Sequence, residues 1–228
     1  MNYKRIAIIP ARSGSVRVKF KNIKIFFGKP LIEHTINCLK STKLFHKIHV
    51  STESKKIKKI VEQNRIKVDF LRPKKLCHDK TSIAEVFKFV LSEYKKKNIF
   101  FDEVWLFFAT NPLIKKKFIL DAYKKYSKYN SRASIIAVSS YNYPIEWAQT
   151  INGKSENLKP VFPNMIKKRS NLLKKKFCDA GMFVIYQKNF MNLNNKIIYK
   201  PYIVPRWSTI DIDTIEDFET AKKLFLIK

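Results

Sequence analysis

Residues 6–17 of the chain read IAIIPARSGSVR, and the rest of the sequence is organised around this stretch. Its first four residues are apolar without alternation, which is typical of a strand buried on both faces of a parallel sheet. Small residues follow, and Arg12, Arg17 and Lys21 bring positive charge close to them. Small residues, exposed backbone N–H groups and cations after a buried strand indicate a polyphosphate-binding loop. An ordinary tight connection with solvated lysines is the alternative, because the loop is neither a P-loop nor a Gly-x-Gly-x-x-Gly turn.

The chain has 228 residues, of which 45% are hydrophobic, so it can form one large α/β domain with its own core. No apolar run approaches the roughly 20 residues that span a bilayer. A secretory signal would need a longer apolar segment than the first strand provides. The three cysteines are odd in number and far apart, which indicates neither a disulfide framework nor a zinc site. We therefore expect a cytoplasmic protein that does not engage a membrane.

The net charge is +29, from 47 Lys and Arg against 18 Asp and Glu. Such a balance ordinarily suggests a nucleic acid partner. Lysine is nevertheless spread through nearly every predicted helix and loop, and glycine is scarce. We interpret this composition as the effect of an A- and T-rich genome. Nucleic acid binding is the weaker alternative, because the sequence contains no recognisable nucleic-acid-binding motif.

Strand and helix patterns alternate over the first 140 residues. Strands are predicted at 6–9, 46–50, 67–71, 104–108 and 133–138, and helical spacing of apolar residues separates them. Right-handed crossovers then build a Rossmann-like, doubly wound, mostly parallel sheet of the α/β class. Ligands of such sheets bind beyond the carboxyl ends of the strands. Polar residues follow four of the predicted strands, at Arg12, 51–53, Arg72 and 110–111.

The pattern loosens between Tyr141 and about Lys176, where three prolines interrupt it. We interpret 141–176 as a small arm inserted into a single domain of residues 1–228, serving as a lid or a subunit contact. A strand pattern resumes from Phe177 to Tyr186. Because the arm can serve as a subunit contact, we expect a homodimer.

Asp211 and Asp213 are two residues apart, and in extended backbone such residues share one face. Both carboxylates can then reach a single Mg²⁺. Solvated or helix-capping carboxylates are the alternative reading of the pair. Thr214 and Asp217 have the spacing of a capping box and predict the start of the last helix.

Several motifs, occurring in order across essentially the full chain, resemble the acylneuraminate cytidylyltransferases (CMP–nonulosonate synthetases). They are residues 9–15 with 21–22, 50–53, 72–73, 109–112 and 211–214. Within that family the chain is most similar to the pseudaminic acid branch. The finer match lies at 109–112, 143–145, 162–163, 168–170, 179–181 and 205–207.

The resemblance implies a fold of the nucleotide-diphospho-sugar transferase type. It also implies transfer of CMP from CTP to the anomeric hydroxyl of an acidic nine-carbon sugar, with Mg²⁺ as cofactor and pyrophosphate as product. By this resemblance the catalytic residues are Arg12, Lys21, Asp211 and Asp213, of which the two aspartates hold the metal. The residues implied to bind CTP are Ala11, Arg12, Ser13, Gly14, Ser15, Asn22, Arg72, Asp79, Thr81 and Ser82. Those implied to bind the sugar are Ala109, Thr110, Asn111, Arg169, Asp179 and Arg206. Neuraminic, legionaminic and octulosonic acids are the alternative sugars.

The chain departs from the family pattern at three informative positions. Ser13 stands where the family usually has glycine, and Val16 stands where it usually has lysine. Arg17 or Lys19 would then supply the missing cation. Met182 replaces a glutamine that is usual in the pseudaminic acid branch, and we expect this change to bear on the sugar more than on the chemistry.

Overall fold

The computed structural model of the protein describes residues 4–151, 153, 156–192 and 197–227. The strands are β1 (Arg5–Pro10), β2 (Ile25–Phe26), β3 (Lys29–Pro30), β4 (Lys47–Ser51), β5 (Glu103–Phe107), β6 (Ser134–Ser140), β7 (Gln149–Ile151), β8 (Leu158–Pro160), β9 (Phe177–Ile185) and β10 (Tyr199–Ile203). The α-helices are α1 (Leu31–Thr42), α2 (Lys55–Gln63), α3 (Ile83–Lys95), α4 (Lys116–Lys128) and α5 (Ile215–Leu226). Among the described residues, no helix combines the length and the apolar character that crossing a membrane requires.

The main sheet has the strand order β10-β6-β9-β5-β1-β4. Strand β1 pairs in parallel with β4 and β5, and β10 pairs in parallel with β6. Strand β9 is antiparallel to both of its neighbours, β5 and β6. The sheet is therefore mixed and mostly parallel, which confirms the predicted α/β class.

Burial on both faces explains the unbroken apolar run in β1. Ala7 and Ile9 belong to a core cluster that contains residues of α1, α2 and α4. Ile6 and Ile8 belong to a second cluster on the opposite face, with residues of α3. All four side chains are fully buried. Helices on both faces of a sheet require apolar residues at successive positions of its central strands.

The prediction of a strand at 67–71 is wrong, because that segment is irregular. Side-chain bonds hold it in place instead of a β-ladder. Asp69 accepts a hydrogen bond from the Tyr94 hydroxyl at 2.7 Å and forms an ion pair with Lys47. The backbone N–H of Arg72 donates to the carbonyl of Thr52 at 2.8 Å. These bonds still carry Arg72 to the carboxyl end of the sheet, where the sequence placed it.

Strand β10 lies outside the predicted strands. Pro201 lies within it and weakens its sequence signal, since proline cannot donate to a ladder. The strand tolerates this residue because it forms an edge of the sheet and pairs with β6 alone.

Local signals fix several connections. The β2–β3 hairpin turns through Phe27 and Gly28, which have φ angles of 43° and 73°. Two consecutive positive φ angles are those of a type I′ turn, which favours glycine. The predicted capping box of Thr214 and Asp217 opens α5. A second capping box, formed by Ser82 and Glu85, opens α3.

The segment 141–176 lies outside the main sheet and contains the antiparallel pair β7–β8. Large apolar side chains are exposed there, among them Tyr143, Ile151, Leu158 and Leu172. Exposed apolar groups of this kind suit a subunit contact. The single domain with an arm and the homodimer both stay predictions.

Candidate active site

A cavity of about 540 Å³ opens at the carboxyl ends of β1 and β5. The loop after β1, the segment 72–81, the start of α3 and the segment before α5 contribute its lining. These parts are distant in sequence, and the sheet brings them together. Eleven of the predicted site residues line it: Arg12, Ser15, Lys21, Asn22, Arg72, Asp79, Thr81, Ala109, Thr110, Asp211 and Asp213.

Side-chain bonds hold the loop at 11–17. Arg12 forms an ion pair with Asp79 and donates to the carbonyl of Cys77 at 3.3 Å. The amide of Asn22 donates to the carbonyl of Arg12 at 2.9 Å. The loop thus connects to the segment around Asp79 on the other side of the cavity.

The remaining predicted loop contacts lie outside the cavity lining. Ala11 is fully buried, and its N–H donates to the carbonyl of Ser51 at 2.9 Å. Ser13 bonds to Glu53, and Ser82 caps α3. Gly14 lies on the exposed part of the loop. Their assignment to CTP stays a prediction.

Two cations hold the carboxylate of Asp213. Lys21 Nζ is 2.6 Å from Oδ1, and Arg17 Nη2 is 2.7 Å from Oδ2. The hydrogen bond from Lys21 and the charges of both cations hold the pKa of Asp213 below its usual range, so the group is ionised at neutral pH. Val16 also lines the cavity and is 84% exposed, without any charge. Arg17 therefore supplies a cation next to the position where a lysine is usual.

Asp211 and Asp213 line the same cavity, whereas Ile212 between them is fully buried, which is the alternation expected where two residues share one face. The N–H of Ile212 donates to the carbonyl of Thr110 at 3.1 Å and ties the segment to the end of β5. Partial burial raises the pKa of Asp211 above its usual range, against a hydrogen bond from Thr110 and the charge of Lys21.

Gly181 of β9 allows the backbone to approach Asp211. It has a φ angle of +57°, and a Cβ atom at this position would lie 3.0 Å from Asp211 Cβ. Real Cβ atoms are rarely that close to another carbon. Both the backbone angle and the carboxylate beside it therefore favour glycine at this position.

The two aspartates fit a magnesium ion that a substrate phosphate helps to hold. Within the described ranges, no group of three or more His, Cys, Asp and Glu side chains could hold a metal on its own. Magnesium usually binds through one or two carboxylates together with phosphate oxygens and water. Asp211 and Asp213 provide such a pair, and the metal stays a prediction.

The structure separates the predicted sugar contacts. Ala109 and Thr110 line the cavity. Asn111 is fully buried, and its amide donates to the carbonyl of Ser208 at 3.1 Å while its oxygen accepts from Leu113 N. Asp179 accepts a hydrogen bond from Gly181 N at 2.9 Å, and burial raises its pKa.

The remaining positions of interest are the two predicted arginines and Met182. Arg169 is exposed and precedes a short 3₁₀ turn. Met182 is fully buried in the core and lines no cavity described here. Any effect of Met182 on the sugar would therefore be indirect.

Arg206 lines a second cavity, of about 810 Å³. Aromatic side chains surround it there, including Tyr141, Tyr143 and Trp207. Its Nη1 donates to Asn142 Oδ1 at 3.1 Å. Residues 209–210 line this second cavity and residues 211 and 213 line the first, so one short segment separates the two.

A mostly parallel sheet with a cavity rich in cations and carboxylates at its carboxyl edge defines a nucleotide-binding α/β protein. The sequence profile of the family described as cytidylyltransferase matches residues 6–224. The chain belongs to the cytidylyltransferase family and is a nucleotidyltransferase.

Relatives named as cytidylyltransferases or as CMP-sugar synthases match nearly the whole chain. A pseudaminic acid cytidylyltransferase of Campylobacter jejuni is 32% identical, covering 98% of this chain and 97% of the relative. A CMP-N,N'-diacetyllegionaminic acid synthase of Legionella pneumophila is 30% identical, covering 96% of this chain and 95% of the relative. Among solved structures, a CMP:2-keto-3-deoxy-manno-octonic acid synthetase complexed with CTP has a TM-score of 0.70 at 14% identity, covering 98% and 99%. That likeness supports the fold alone and agrees with the predicted type.

Proposed function

We propose that the protein transfers CMP from CTP to the anomeric hydroxyl of a nonulosonic acid, with pseudaminic acid the preferred sugar, and releases pyrophosphate. One observation carries the proposal. A single cavity holds Arg12 and Lys21, which match triphosphate positions of the family, together with the carboxylates of Asp211 and Asp213. The full-length similarity to a pseudaminic acid cytidylyltransferase supports the choice of sugar.

The proposed reaction is a displacement at the α-phosphorus of CTP. The anomeric oxygen attacks, its proton is lost, and the bond to the pyrophosphate leaving group breaks. Such reactions depend on positioning and on stabilising phosphate charge. Arg12, Arg17 and Lys21 would carry out that stabilisation, since all three line the cavity. Mg²⁺ bound at Asp211 and Asp213 would add charge neutralisation at the phosphates.

The nucleoside would occupy the side of the cavity formed by Asn22, Arg72, Asp79 and Thr81. Arg72 supports such a role as a cation in the wall of the cavity, where Glu53 lies 3.7 Å from its Nη2.

The sugar would lie toward Ala109, which provides an apolar surface at the end of β5. An apolar surface accommodates a deoxy carbon with its methyl group better than it accommodates a hydroxyl. Arg206 in the second cavity is the candidate for the sugar carboxylate, because a guanidinium can bind a carboxylate through two parallel bonds. Legionaminic acid is the second candidate substrate, on the strength of the Legionella relative.

Pyrophosphate release measured with CTP, Mg²⁺ and a panel of sugars tests the proposal. The panel contains pseudaminic, legionaminic, N-acetylneuraminic and octulosonic acids. We expect turnover with CTP and the highest kcat/KM with pseudaminic acid. Parallel reactions with UTP control for base selection. No release with any of the four sugars would refute the proposed function, and a higher kcat/KM with another sugar would reassign the substrate.

A further inference from the structure

Glu53 contacts two parts of the cavity without lining it. Its Oε1 accepts two hydrogen bonds from Ser13, one from the backbone N–H at 2.7 Å and one from Oγ at 2.6 Å. Its Oε2 is buried without a hydrogen-bond partner among the described residues and lies 3.7 Å from Arg72 Nη2. Only 14% of the side chain is exposed.

The two partners of Glu53 belong to two different parts of the chain around the proposed CTP site. Ser13 lies next to Arg12 in the loop proposed to hold the triphosphate, whereas Arg72 lines the side proposed to hold the nucleoside. An ionised carboxylate can accept on both oxygens and donates nothing, so it suits a loop N–H on one side and a cation on the other. Hydrogen bonds from Ser13 hold the pKa of Glu53 below its usual range although burial opposes this, so the group is ionised at neutral pH.

We propose that Glu53 is a positioning residue that fixes Ser13 and Arg72 relative to each other, so that both sides of the cavity meet one CTP molecule. The inference rests on the proposed function, since it requires that CTP bind in this cavity. The buried position of Glu53 beside Arg72 fits it, because a carboxylate that does not line the cavity can act on a ligand only through the groups that it contacts.

Isothermal titration with CTP, CMP and inorganic tripolyphosphate tests the proposal. CMP reports on the nucleoside side, and tripolyphosphate reports on the loop. Glu53→Ala removes both contacts, so we expect the Kd of all three ligands to rise at least fivefold. Glu53→Gln keeps the size, but its amide has one acceptor and one donor side. It therefore cannot serve Ser13 and Arg72 together, and we expect the Kd for CTP to rise about tenfold.

One control variant separates positioning from general destabilisation. Glu219→Gln changes an exposed carboxylate on α5 that pairs with Lys222, and we expect no change. Titrations run well below each variant's Tm report on folded protein, and a residue that only stabilises the fold would leave the Kd unaltered there.

Several outcomes would overturn the inference. A Kd for CTP in Glu53→Gln within twofold of that of the unmodified protein would refute it. The Glu53→Gln result is sufficient for this test if Glu53→Ala does not fold. Loss of affinity for CMP or for tripolyphosphate alone in Glu53→Ala would show that Glu53 positions one side only. Failure of the unmodified protein to bind CTP would overturn the proposed function together with this inference. Equal CTP affinity in the unmodified protein and in the Glu53 variants would overturn the inference alone.

Discussion

Replacing Gly181 with alanine would place a methyl group 3.0 Å from Asp211 Cβ and 3.1 Å from its Oδ2. Carbon atoms at favourable contact are about 3.5–4.0 Å apart. The Asp211 side chain must therefore move by a few tenths of an ångström to relieve the contact. A misplacement of about 1 Å at a reacting centre can cost on the order of a hundredfold in rate. We expect the smaller displacement in Gly181→Ala to lower kcat by about three- to tenfold.

Gly28→Ala is the matched control for this substitution. Gly28 also has a positive φ angle, of +73°, but nothing lies within 4 Å of the Cβ that alanine would add. Both variants carry the cost of about 1–2 kcal/mol that a left-handed angle imposes on alanine. In a domain of this size each kcal/mol lowers the Tm by about 2–4 °C. The two variants should thus lose similar stability, while Gly181→Ala alone loses turnover.

The assay is pyrophosphate release at saturating CTP and sugar, with Tm measured by circular dichroism. A kcat for Gly181→Ala within twofold of that of the unmodified protein would refute the reasoning, because it would mean that the position of Asp211 does not limit the reaction. Equal losses of turnover in both variants would attribute the effect to backbone strain instead.

Four further predictions address the site and the fold. Asp213→Asn should lower kcat by about a hundredfold or more and leave the circular dichroism spectrum unaltered, because it removes a carboxylate that is the proposed metal ligand and the partner of Lys21. Unchanged turnover would refute the metal assignment. Arg12→Ala should raise the KM for CTP and lower kcat, since a cation on the triphosphate acts in both the ground and the transition state. Val16→Lys should be at least as active as the unmodified enzyme. A folded but inactive Val16→Lys would refute the assignment of the loop to the triphosphate. The kcat/KM for pseudaminic acid should exceed that for N-acetylneuraminic acid by about tenfold to a hundredfold, because an unpaired buried hydroxyl costs about 1–3 kcal/mol. Ala109→Gln should reduce this ratio. Equal kcat/KM for both sugars in the unmodified enzyme would contradict the proposed preference. Burial lowers the pKa of His49 from 6.5 to about 3, so the neutral imidazole stabilises the fold fully above pH 6.5, and this stabilisation is lost as the pH falls toward 3. The free energy of unfolding in urea should fall by about 2 kcal/mol between pH 6.5 and about pH 5, and His49→Phe should abolish this fall. An unchanged pH dependence in His49→Phe would refute the prediction.

The predicted site was partly accessible from sequence because its motifs follow strands. Arg12 and Thr110 were placed at strand ends by the buried apolar runs before them, and the structure brings both to one cavity. Asn111 follows the same strand and was predicted to bind the sugar, yet its amide is used within the protein. Nothing in the local pattern distinguishes these two neighbours, since the direction of each side chain depends on the elements packed against it.

The proposed role of Glu53 and the partner of Arg17 could not be predicted from the sequence, for a related reason. A carboxylate after a strand indicates a polar strand end, but not which group it contacts. Ser13 is 40 positions from Glu53, and the contact between them depends on the parallel pairing of β1 with β4. Arg17 gained its significance from its bond to Asp213, which is 196 positions away.

The sequence by itself determined the buried strand β1, the helices, the capping box that opens α5 and the alternation of Asp211, Ile212 and Asp213. Each of these depends on spacing within a few residues, where the periods of helix and strand act. The tertiary structure alone decided the antiparallel insertion of β9, the irregular course of 67–71 and the approach of Gly181 to Asp211. These features depend on contacts between distant parts of the chain, and local spacing carries no information about which distant partner a segment meets.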